Sequence, residues 1–319
     1  MSDLAVSIIN YRTGEMTIAA AASVLEALGE RQARVVIVDN ASGDGSAEEI
    51  AAWIETRGDN RLSLVRSATN SGFSGGHNQG MAAAPGAEFY LILNSDALLK
   101  PGFFETILAA AEANPRAGLI AARLEWDDGT PQQSCFRFAG PASELIRGAA
   151  TGPVTKLLSR YVVALDLPPE PAAIEWASFA CIMLRGEMVR AIGPMDEGYF
   201  LYFEDAEYAL RARRAGWSVI HEPRARAVHF RGGSGPVKKM HAAKKRLPAY
   251  CWRSRTRFMR QAYGPMGPFL ANFAWGLGRA ISHTRRFALK PVPLAHEAEW
   301  RDIWTGITAP LAPAPETRG

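Results

Sequence analysis

The chain carries, over residues 175–217, the sequence EWASFACIMLRGEMVRAIGPMDEGYFLYFEDAEYALRARRAGW. An aromatic run over residues 199–203 stands directly before two neighbouring carboxylates, Glu204 and Asp205. Apolar residues then recur at helical spacing up to Gly216, which predicts the end of that helix. Acids in a first turn lie near the positive end of the helix dipole, which favours their ionised form. Such an acid pair suits a general base, or a plain N-terminal cap with no chemistry.

Length and composition are those of an ordinary globular protein. The 319 residues suffice for one large or two modest domains, and 48% hydrophobic and 21% charged residues are typical values. The three cysteines share no metal-like spacing and indicate a reducing compartment. The N-terminus MSDLAVSIINY lacks the basic start of a signal peptide, and no uncharged apolar run reaches the ~20 residues of a transmembrane helix. We therefore expect a soluble or peripheral protein.

Charge is distributed unevenly along the chain. The net charge is +4, yet no acid lies between Glu222 and Glu297, a segment with sixteen Lys and Arg residues. The rest of the chain has twenty basic against 32 acidic residues. An acidic body with a basic appendage predicts an anionic partner for the appendage.

Strands and helices alternate along the first hundred residues. Short apolar runs over residues 4–10, 34–38, 62–66 and 89–93 predict strands, and the alternation predicts a parallel sheet with helices on both faces. Ligands of such sheets bind beyond the carboxyl ends of the strands. The polar residues at these ends are Asn10, Tyr11, Asp39, Asn40, Asn94, Ser95 and Asp96.

A glycine-rich loop, NSGFSGGHNQG over residues 70–80, leads into a predicted helix at about residues 76–84. Glycines permit close backbone approach, and a helix N-terminus presents N–H groups to phosphate oxygens. The spacing matches neither the dinucleotide fingerprint nor a Walker loop. We expect His77 to be a loop or pocket-wall residue and not a ligand.

Short strands are also predicted in the second half of the chain. Those over residues 118–124 and 133–138 are joined by a turn at residues 127–129, and two more cover residues 217–221 and 224–230. Residues 139–171 are the least readable part of the chain.

These motifs resemble those of family 2 glycosyltransferases with a GT-A fold, in particular the bacterial rhamnosyltransferase-like branch. The resemblance rests on GYFLYFEDAEYALRARRAGW at residues 198–217 and covers about residues 6–234, with the motifs in the expected order. It implies an α/β GT-A fold with a mainly parallel, Rossmann-like sheet flanked by helices. It also implies a nucleotide-sugar donor.

For the donor, the resemblance places Asp39, in the family's VDNxSxDGS motif, at the nucleotide base with Tyr11 nearby. The alternative is a loop-capping Asp39, a residue common at strand ends. Asn70 and Asn78 match a segment that helps to hold the sugar nucleotide. The residues expected to bind the donor are Asn10, Tyr11, Asp39, Asn70, Gly72, Asn78, Asn94, Asp96 and Arg231.

A divalent metal, Mg²⁺ or Mn²⁺, is the implied cofactor. The family's D-x-D motif falls at residues 94–96, where Asn94 replaces the first acid and Asp96 is the expected direct ligand. His229 matches a family histidine that completes the metal shell, and Arg231 and Ser234 beside it are placed to reach diphosphate oxygens. A turn-capping Asp96 and a structural His229 are the alternatives.

For catalysis, the resemblance makes Asp205 the base and lets Glu204 bind an acceptor hydroxyl or orient the loop. Asp196 and Glu197 are expected to order the preceding turn. Phe179 stands where the family has a glycine, and its ring is expected to narrow the acceptor pocket. A single displacement with one base inverts the configuration of the sugar.

Basic and aromatic residues interleave over residues 238–290, a composition suited to an anionic membrane surface. Nucleic acid and simple packing on the catalytic domain are the alternatives. Phe269, Phe273, Leu277 and Ile281 share one helical face. The expected domains are a catalytic domain, 1–235 (nucleotide-sugar half 1–100, acceptor half 101–235), a basic helical extension, 236–305, and a disordered tail, 306–319.

We expect a metal-dependent inverting glycosyltransferase of cell-surface polysaccharide synthesis. It would move a sugar to a glycan or polyprenyl-linked acceptor. Rhamnose from a dTDP donor is the favoured sugar, and UDP-linked sugars remain open. It would be cytoplasmic or peripheral on the inner face of the cell membrane, without a nucleic-acid partner. One alternative is a non-catalytic scaffold that binds a nucleotide-sugar or a glycan. The other is a nucleotide-binding oxidoreductase, but this chain has NYRTGE after the first strand, where such an enzyme has its dinucleotide-binding glycines.

Overall fold

The computed structural model describes residues 3–231, 237–288 and 290–313. Ser234 and residues 314–319 of the expected tail lie outside these ranges. The strands within them are β1 (Leu4–Asn10), β2 (Arg34–Asp39), β3 (Leu62–Arg66), β4 (Phe89–Asn94), β5 (Ala97–Leu99), β6 (Ala117–Glu125), β7 (Cys135–Phe136), β8 (Trp176–Ala177), β9 (Cys181–Arg185) and β10 (Ser218–His229).

Helices flank the sheet and form most of the C-terminal part. They are α1 (Gly14–Leu28), α2 (Ser46–Arg57), α3 (Gly72–Ala83), α4 (Phe103–Ala113), α5 (Pro141–Ala149), α6 (Gly152–Leu157), α7 (Gly186–Ile192), α8 (Glu204–Arg214), α9 (Val237–Ala242), α10 (Ala249–Tyr263), α11 (Gly267–His283) and α12 (Glu299–Asp302). Short 3₁₀ turns occur at Ser159–Tyr161, Pro171–Ala173 and Thr284–Ala288.

Eight strands form one sheet in the order β3-β2-β1-β4-β9-β6-β10-β5. The first four strands run parallel, β9 is antiparallel to both β4 and β6, and β5 is antiparallel to β10. Alternate residues of β1 bury into different cores, since Val6 and Ile8 lie in one cluster and Ala5 in another. Strands buried on both faces read as continuous apolar runs. The predicted mainly parallel α/β sheet is confirmed.

The glycine-rich segment is helical from Gly72, not a loop up to residue 76 as predicted. Its glycines bring α3 close to the sheet: a Cβ on Gly80 would lie 2.1 Å from Ser7 Oγ, and one on Gly76 would lie 2.7 Å from Ile9 Cδ1. Several glycines at the start of the segment made a loop the simpler prediction. Here they permit helix-to-strand packing.

Two strand predictions in the second half were wrong in extent. The strand expected over residues 133–138 is reduced to Cys135–Phe136, which pairs with β8. The predicted turn at residues 127–129 is present, but pairing with β6 beyond it is limited to a bridge between Glu125 and Pro131. The two strands expected over residues 217–221 and 224–230 are one continuous strand, β10, with a register shift between Glu222 and Arg226. The bulge interrupts the apolar alternation, which is why the sequence pattern splits there.

The basic extension packs against the rest of the chain. Tyr199 and Ala206 share a buried cluster with Phe258 of α10, and α11 crosses α5 where Gly278 approaches the Leu145 carbonyl. In α10, Arg255 is 4% exposed and pairs with Glu144 at 3.0 Å. The boundary at residue 236 stays a prediction. Among the described helices, none has the length and apolar character to cross a bilayer.

Candidate functional site

The carboxyl ends of three neighbouring strands meet at one edge of the sheet. The register pairs Asn10 of β1 with Asp39 of β2, and Ile9 with Asn94 of β4. This is the edge at which parallel α/β sheets bind ligands. The structure therefore brings together the polar strand ends that the sequence placed there.

Asp39 is buried and engaged on both carboxylate oxygens. Its Oδ1 accepts a hydrogen bond from Asn10 Nδ2 at 2.7 Å, and its Oδ2 accepts one from the Ser42 N–H at 3.3 Å. Asn10 Nδ2 also lies 2.7 Å from Ser46 Oγ, while Asn10 Oδ1 accepts from the Thr13 N–H. Asp39 and Asn10 thus hold the loop after β2 against the end of β1.

Asp96 lies in the turn between β4 and β5, next to the end of β10. The Phe230 N–H donates to the Asp96 carbonyl at 3.0 Å, and His229 Nε2 lies 3.4 Å from Asp96 Oδ1. The neighbouring Ser95 Oγ accepts from Thr13 Oγ1 at 3.0 Å, which links this turn to the Asn10 end of β1. Asp96 and His229, 133 positions apart in the sequence, are therefore neighbours at this edge.

His229 has an unsatisfied nitrogen. Its Nδ1 is buried and has no hydrogen-bond partner among the described residues, while its carbonyl accepts from Gln132 Nε2 at 2.7 Å. An oxygen donor from Asp96 and a nitrogen donor from His229 fit a divalent cation. No group of three or more His, Cys, Asp or Glu suited to a metal occurs in the described ranges. A cation here would need further ligands from substrate or water.

Arg231 stands beside this pair. Its Nε donates to Gln132 Oε1 at 2.5 Å, and its guanidinium lies 5.5 Å from the centre of the Trp126 ring. Burial lowers the pKa of Arg231, and the nearby Asp96 carboxylate opposes that effect. Lys238 Nζ lies 5.2 Å from the same ring. Two cations share one indole, an arrangement suited to an anionic ligand.

Trp126 and Gln132 were not identified from the sequence. Both flank the predicted turn after β6, which carries no binding motif, and their role becomes visible only when β10 is placed beside β6. Asn40 was noted only as a strand-end residue. In the structure its Nδ2 donates to Asn70 Oδ1 at 3.1 Å and to the Gly72 carbonyl at 2.9 Å. The signal that the sequence offered for Asn40 was its position, as a polar residue directly after Asp39.

Other residues of the glycine-rich segment have structural contacts. Asn78 Nδ2 donates to the Met195 carbonyl and to Glu197 Oε1, and Asn78 Oδ1 accepts from the Met195 N–H, each at 2.9 Å. Direct donor contact by Asn78 stays a prediction. His77 lies on α3 and its side chain is fully buried, so it is not part of a loop or a pocket wall. Burial lowers the pKa of its imidazole to about 3.

The loop before the acid pair contacts the start of α3. The Phe73 N–H donates to the Phe200 carbonyl at 2.8 Å. Tyr202 and Phe203 both adopt left-handed backbone conformations, with φ of 71° and 67°, which bulky residues rarely accept. These two turns direct the chain into α8 at Glu204.

Burial controls the protonation of the acid pair. It raises the pKa of Asp205 to about 7, and burial together with the Asp205 charge raises the pKa of Glu204 well above its usual range. Glu204 Oε2 has no hydrogen-bond partner within the described part of the chain, whereas Asp205 Oδ1 accepts from the Ala206 N–H at 2.8 Å. The backbone N–H groups at the start of α8 lower the pKa of Asp205, as the sequence predicted, but desolvation of the acid outweighs them.

Phe179 does not narrow an open pocket as expected. Its ring is 2% exposed and packs edge-on against Tyr208 with ring centres 6.1 Å apart.

The turn before the aromatic run is held by Asp196. Its carboxylate accepts a hydrogen bond from the Gly198 N–H at 2.9 Å and one from Arg257 at 2.8 Å.

Comparison with known proteins gives consistent matches. The model of the family described as Glycosyl transferase family 2 matches residues 5–144. The N-acetylglucosaminyl-diphospho-decaprenol L-rhamnosyltransferase of Mycobacterium tuberculosis is 28% identical over 221 residues, covering 64% of this chain and 69% of that protein. The low-salt glycan biosynthesis hexosyltransferase Agl10 of Haloferax volcanii is 24% identical over 232 residues, covering 72% and 67%.

Among solved structures, a mannosyltransferase from Pyrobaculum calidifontis in complex with GDP-Man and Mn²⁺ superposes with a TM-score of 0.57. The two chains are 16% identical, and the match covers 98% of this chain and 87% of the other. At that identity the likeness concerns the fold.

Proposed function

We propose that this chain, which matches the model of family 2 glycosyl transferases over residues 5–144 and has a GT-A fold, transfers a sugar from a nucleotide-diphosphate donor to an acceptor hydroxyl with inversion. The observation that carries the proposal is the contact network at one sheet edge. It runs from Asp39 through Asn10, Thr13 and Ser95 to the turn of Asp96. A separate branch from Asn40 through Gly72 reaches the loop before Asp205.

The donor lies across the strand ends in this proposal. Asp39 and Tyr11 contact the nucleoside, and Asn10 keeps the Asp39 carboxylate in place. Asn70, Gly72, Asn78 and Asn94 complete the donor side. Arg231 binds a diphosphate oxygen, for which a guanidinium on an indole face is well suited.

Asp96 and His229 are the proposed holders of a divalent metal, Mg²⁺ or Mn²⁺. When bound, such an ion neutralises negative charge on the departing nucleoside diphosphate. The fit rests on the 3.4 Å approach of His229 Nε2 to Asp96 Oδ1, which places a nitrogen and an oxygen ligand side by side. Asn94, which stands where the family has an acid, offers a neutral amide oxygen, a weaker ligand than a carboxylate.

Asp205 is the proposed base. Its carboxylate takes the proton of the acceptor hydroxyl while that oxygen bonds to the anomeric carbon and the bond from this carbon to the diphosphate oxygen breaks. A pKa of about 7 matches a base that must both accept and release a proton near neutral pH. Glu204, with its unsatisfied Oε2, positions the acceptor hydroxyl.

The finer assignments follow the relatives. Rhamnose from a dTDP donor is the proposed sugar, with UDP-sugars as the second choice, and the proposed acceptor is a glycan or a polyprenyl-linked glycan of cell-surface polysaccharide synthesis. The similarity to a rhamnosyltransferase named for a diphospho-decaprenol substrate supports this choice. The proposed location is cytoplasmic, peripheral on the inner face of the membrane.

A thermal-shift panel tests the proposal. The protein is heated with dTDP-, UDP- and GDP-sugars, each with Mn²⁺, with Mg²⁺ or with EDTA. We expect one nucleotide class to raise the melting temperature, and EDTA to remove the effect. Hydrolysis or transfer of that sugar then separates an enzyme from a non-catalytic scaffold. No stabilisation by any nucleotide-sugar contradicts the proposal.

A further inference from the structure

One face of α11 is apolar and uncovered by the described chain. Five large side chains on this face, at positions i, i+3, i+4, i+7 and i+11 from the residue before the helix, are about half exposed or more. They are Met266 (58%), Phe269 (45%), Leu270 (50%), Phe273 (72%) and Leu277 (47%), and together they are called the α11 apolar face. The sequence placed Phe269, Phe273, Leu277 and Ile281 on one face; the first three are exposed there, whereas Ile281 is only partly exposed.

The orientation of α11 is set by close packing on its opposite side. Gly278 is so near α5 that an added Cβ would lie 2.4 Å from the Leu145 carbonyl, and a Cβ on Gly148 would lie 2.3 Å from the Trp275 carbonyl. Ala271, Asn272 and Trp275 are buried on that side. The apolar face therefore points away from the protein by construction.

Positive charge follows the α11 apolar face at one end of the helix. At the end of the helix the chain continues with Arg285, Arg286 and Lys290, and Phe287 between them is 93% exposed. No acid occurs anywhere from residue 223 to residue 296. On the other flank, Trp304 lies with its ring 6.2 Å from that of Phe269. An apolar strip bordered by cations and an aromatic residue is the pattern of a helix that lies in a bilayer interface.

The neighbouring helix α10 does not offer such a surface, although the sequence assigned it the same role. Trp252 is 5% exposed, Arg255 pairs with Glu144, and Arg257 pairs with Asp196 at 2.8 Å. These basic and aromatic residues stabilise the fold. Within the membrane surface expected over residues 238–290, α11 and the basic segment after it are therefore better candidates than α10.

We propose that the α11 apolar face lies on an anionic lipid bilayer, with Phe287 inserted beside it and the adjacent cations at the headgroups. This inference rests on the proposed function and deepens it, because it names the surface that meets the membrane. Helix α10 connects that surface to the acid pair: Ser254 Oγ donates to the Leu201 carbonyl at 3.0 Å, and the Tyr250 and Phe200 rings lie 5.3 Å apart.

Vesicle co-sedimentation of the full chain tests the proposal. The vesicles are pure phosphatidylcholine or equal parts phosphatidylcholine and phosphatidylglycerol. The test variant is Phe273→Gln/Leu277→Gln, and the matched control is Met16→Gln, which changes a 43% exposed apolar residue on α1. We expect wild type and control to bind the anionic vesicles, and the double variant to bind about tenfold more weakly or worse.

Two further measurements make each outcome decisive. Unchanged melting temperature and nucleotide-stabilised melting show that the double variant is folded. Equal vesicle binding by wild type and a folded double variant, or no binding by wild type, overturns the inference. So does a wild-type dimer in sedimentation analysis that the double variant abolishes without any vesicle binding, since the face then meets a second copy. Nucleotide binding is scored separately, so a failure of the proposed function leaves the vesicle result interpretable.

Discussion

The Phe73 N–H donates a hydrogen bond to the Phe200 carbonyl at 2.8 Å, which joins the first turn of α3 to the loop before the acid pair. This bond connects segments that lie 127 positions apart in the sequence. One segment belongs to the donor side, through Gly72 and Asn40, and the other leads into Glu204 and Asp205. The placement of the base relative to the donor therefore depends on how closely these two backbones approach.

Gly72→Ala should disrupt that approach. Gly72 has φ of +69°, and a Cβ there would lie 2.2 Å from the Phe200 carbonyl, so either the loop or α3 must move. We expect a loss of transfer together with a larger drop in melting temperature than in the control Gly86→Ala. Gly86 has φ of +77° but nothing within 4 Å, so it reports the left-handed strain alone, about 1–2 kcal/mol. Equal effects of the two substitutions would show that the contact is unimportant.

The acid pair should make stability depend on pH. Because the pKa of Asp205 in the folded protein is raised to about 7, its contribution to stability is fully present below the unfolded pKa near 4 and is lost as the pH rises through 7. Asp205→Asn should therefore raise the melting temperature at pH 8 by about 2–4 °C and have little effect at pH 4. Asp127→Asn on an exposed turn is the control. A variant that melts lower than wild type at pH 8 contradicts the burial argument.

The same pKa predicts the pH profile of transfer. The base must be ionised to accept a proton, so kcat/KM should rise with pH and level off above about 7. Initial rates measured across pH 5–9 at a fixed ionic strength show this rise of kcat/KM directly. A flat profile over that range would mean that Asp205 does not titrate in the free enzyme.

Removal of the proposed metal holders should weaken nucleotide binding only when metal is present. Asp96→Ala and His229→Ala are each expected to reduce the affinity for UDP or dTDP in Mn²⁺ by about tenfold or more, since even outer-shell partners of metals have effects of that size. Calorimetry with Mn²⁺ and with EDTA measures the difference. The control is His283→Ala, an exposed histidine in the last turn of α11. Wild-type affinity in both variants would remove the metal assignment.

The buried ion pair between α5 and α10 should hold the extension on the catalytic part. Arg255 is 4% exposed, and Arg255→Met removes both its ion pair with Glu144 and its hydrogen bond to Asn272, so that Glu144 keeps Arg147 as a partner. We expect the free energy of unfolding to fall by about 3 kcal/mol. For a chain of this size that lowers the melting temperature by about 6 °C. The control Arg224→Met breaks a surface ion pair with Glu222 and should change the melting temperature little. Two separate unfolding transitions in wild type would indicate an independent extension.

Local patterns predicted much of the sheet. The runs at residues 4–10 and 62–66 have the observed bounds, and β2 and β4 each extend by one residue to Asp39 and Asn94. Buried parallel strands produce unbroken apolar runs, so these segments need no tertiary information. The edge at which Asn10 and Asp39 meet followed from the same argument.

Other features depend on contacts that no local pattern encodes. The left-handed turns at Tyr202 and Phe203 lack the glycine that normally marks such a conformation. The raised pKa of Asp205 requires knowledge of its burial, whereas its position at a helix N-terminus predicts the opposite direction. Trp126 meets Arg231 only because β10 returns beside β6. These are the features on which the proposed chemistry depends.

Single-turnover transfer by Asp205→Asn, with the nucleotide-sugar identified by thermal shift and a matching acceptor, tests the central claim most directly. The amide keeps the shape of the side chain but cannot accept the hydroxyl proton. We predict that donor affinity stays within about twofold of wild type while transfer slows by about 100- to 10,000-fold, the range of positioned proton transfer. Transfer at a near-normal rate would contradict the assignment of Asp205 as the base.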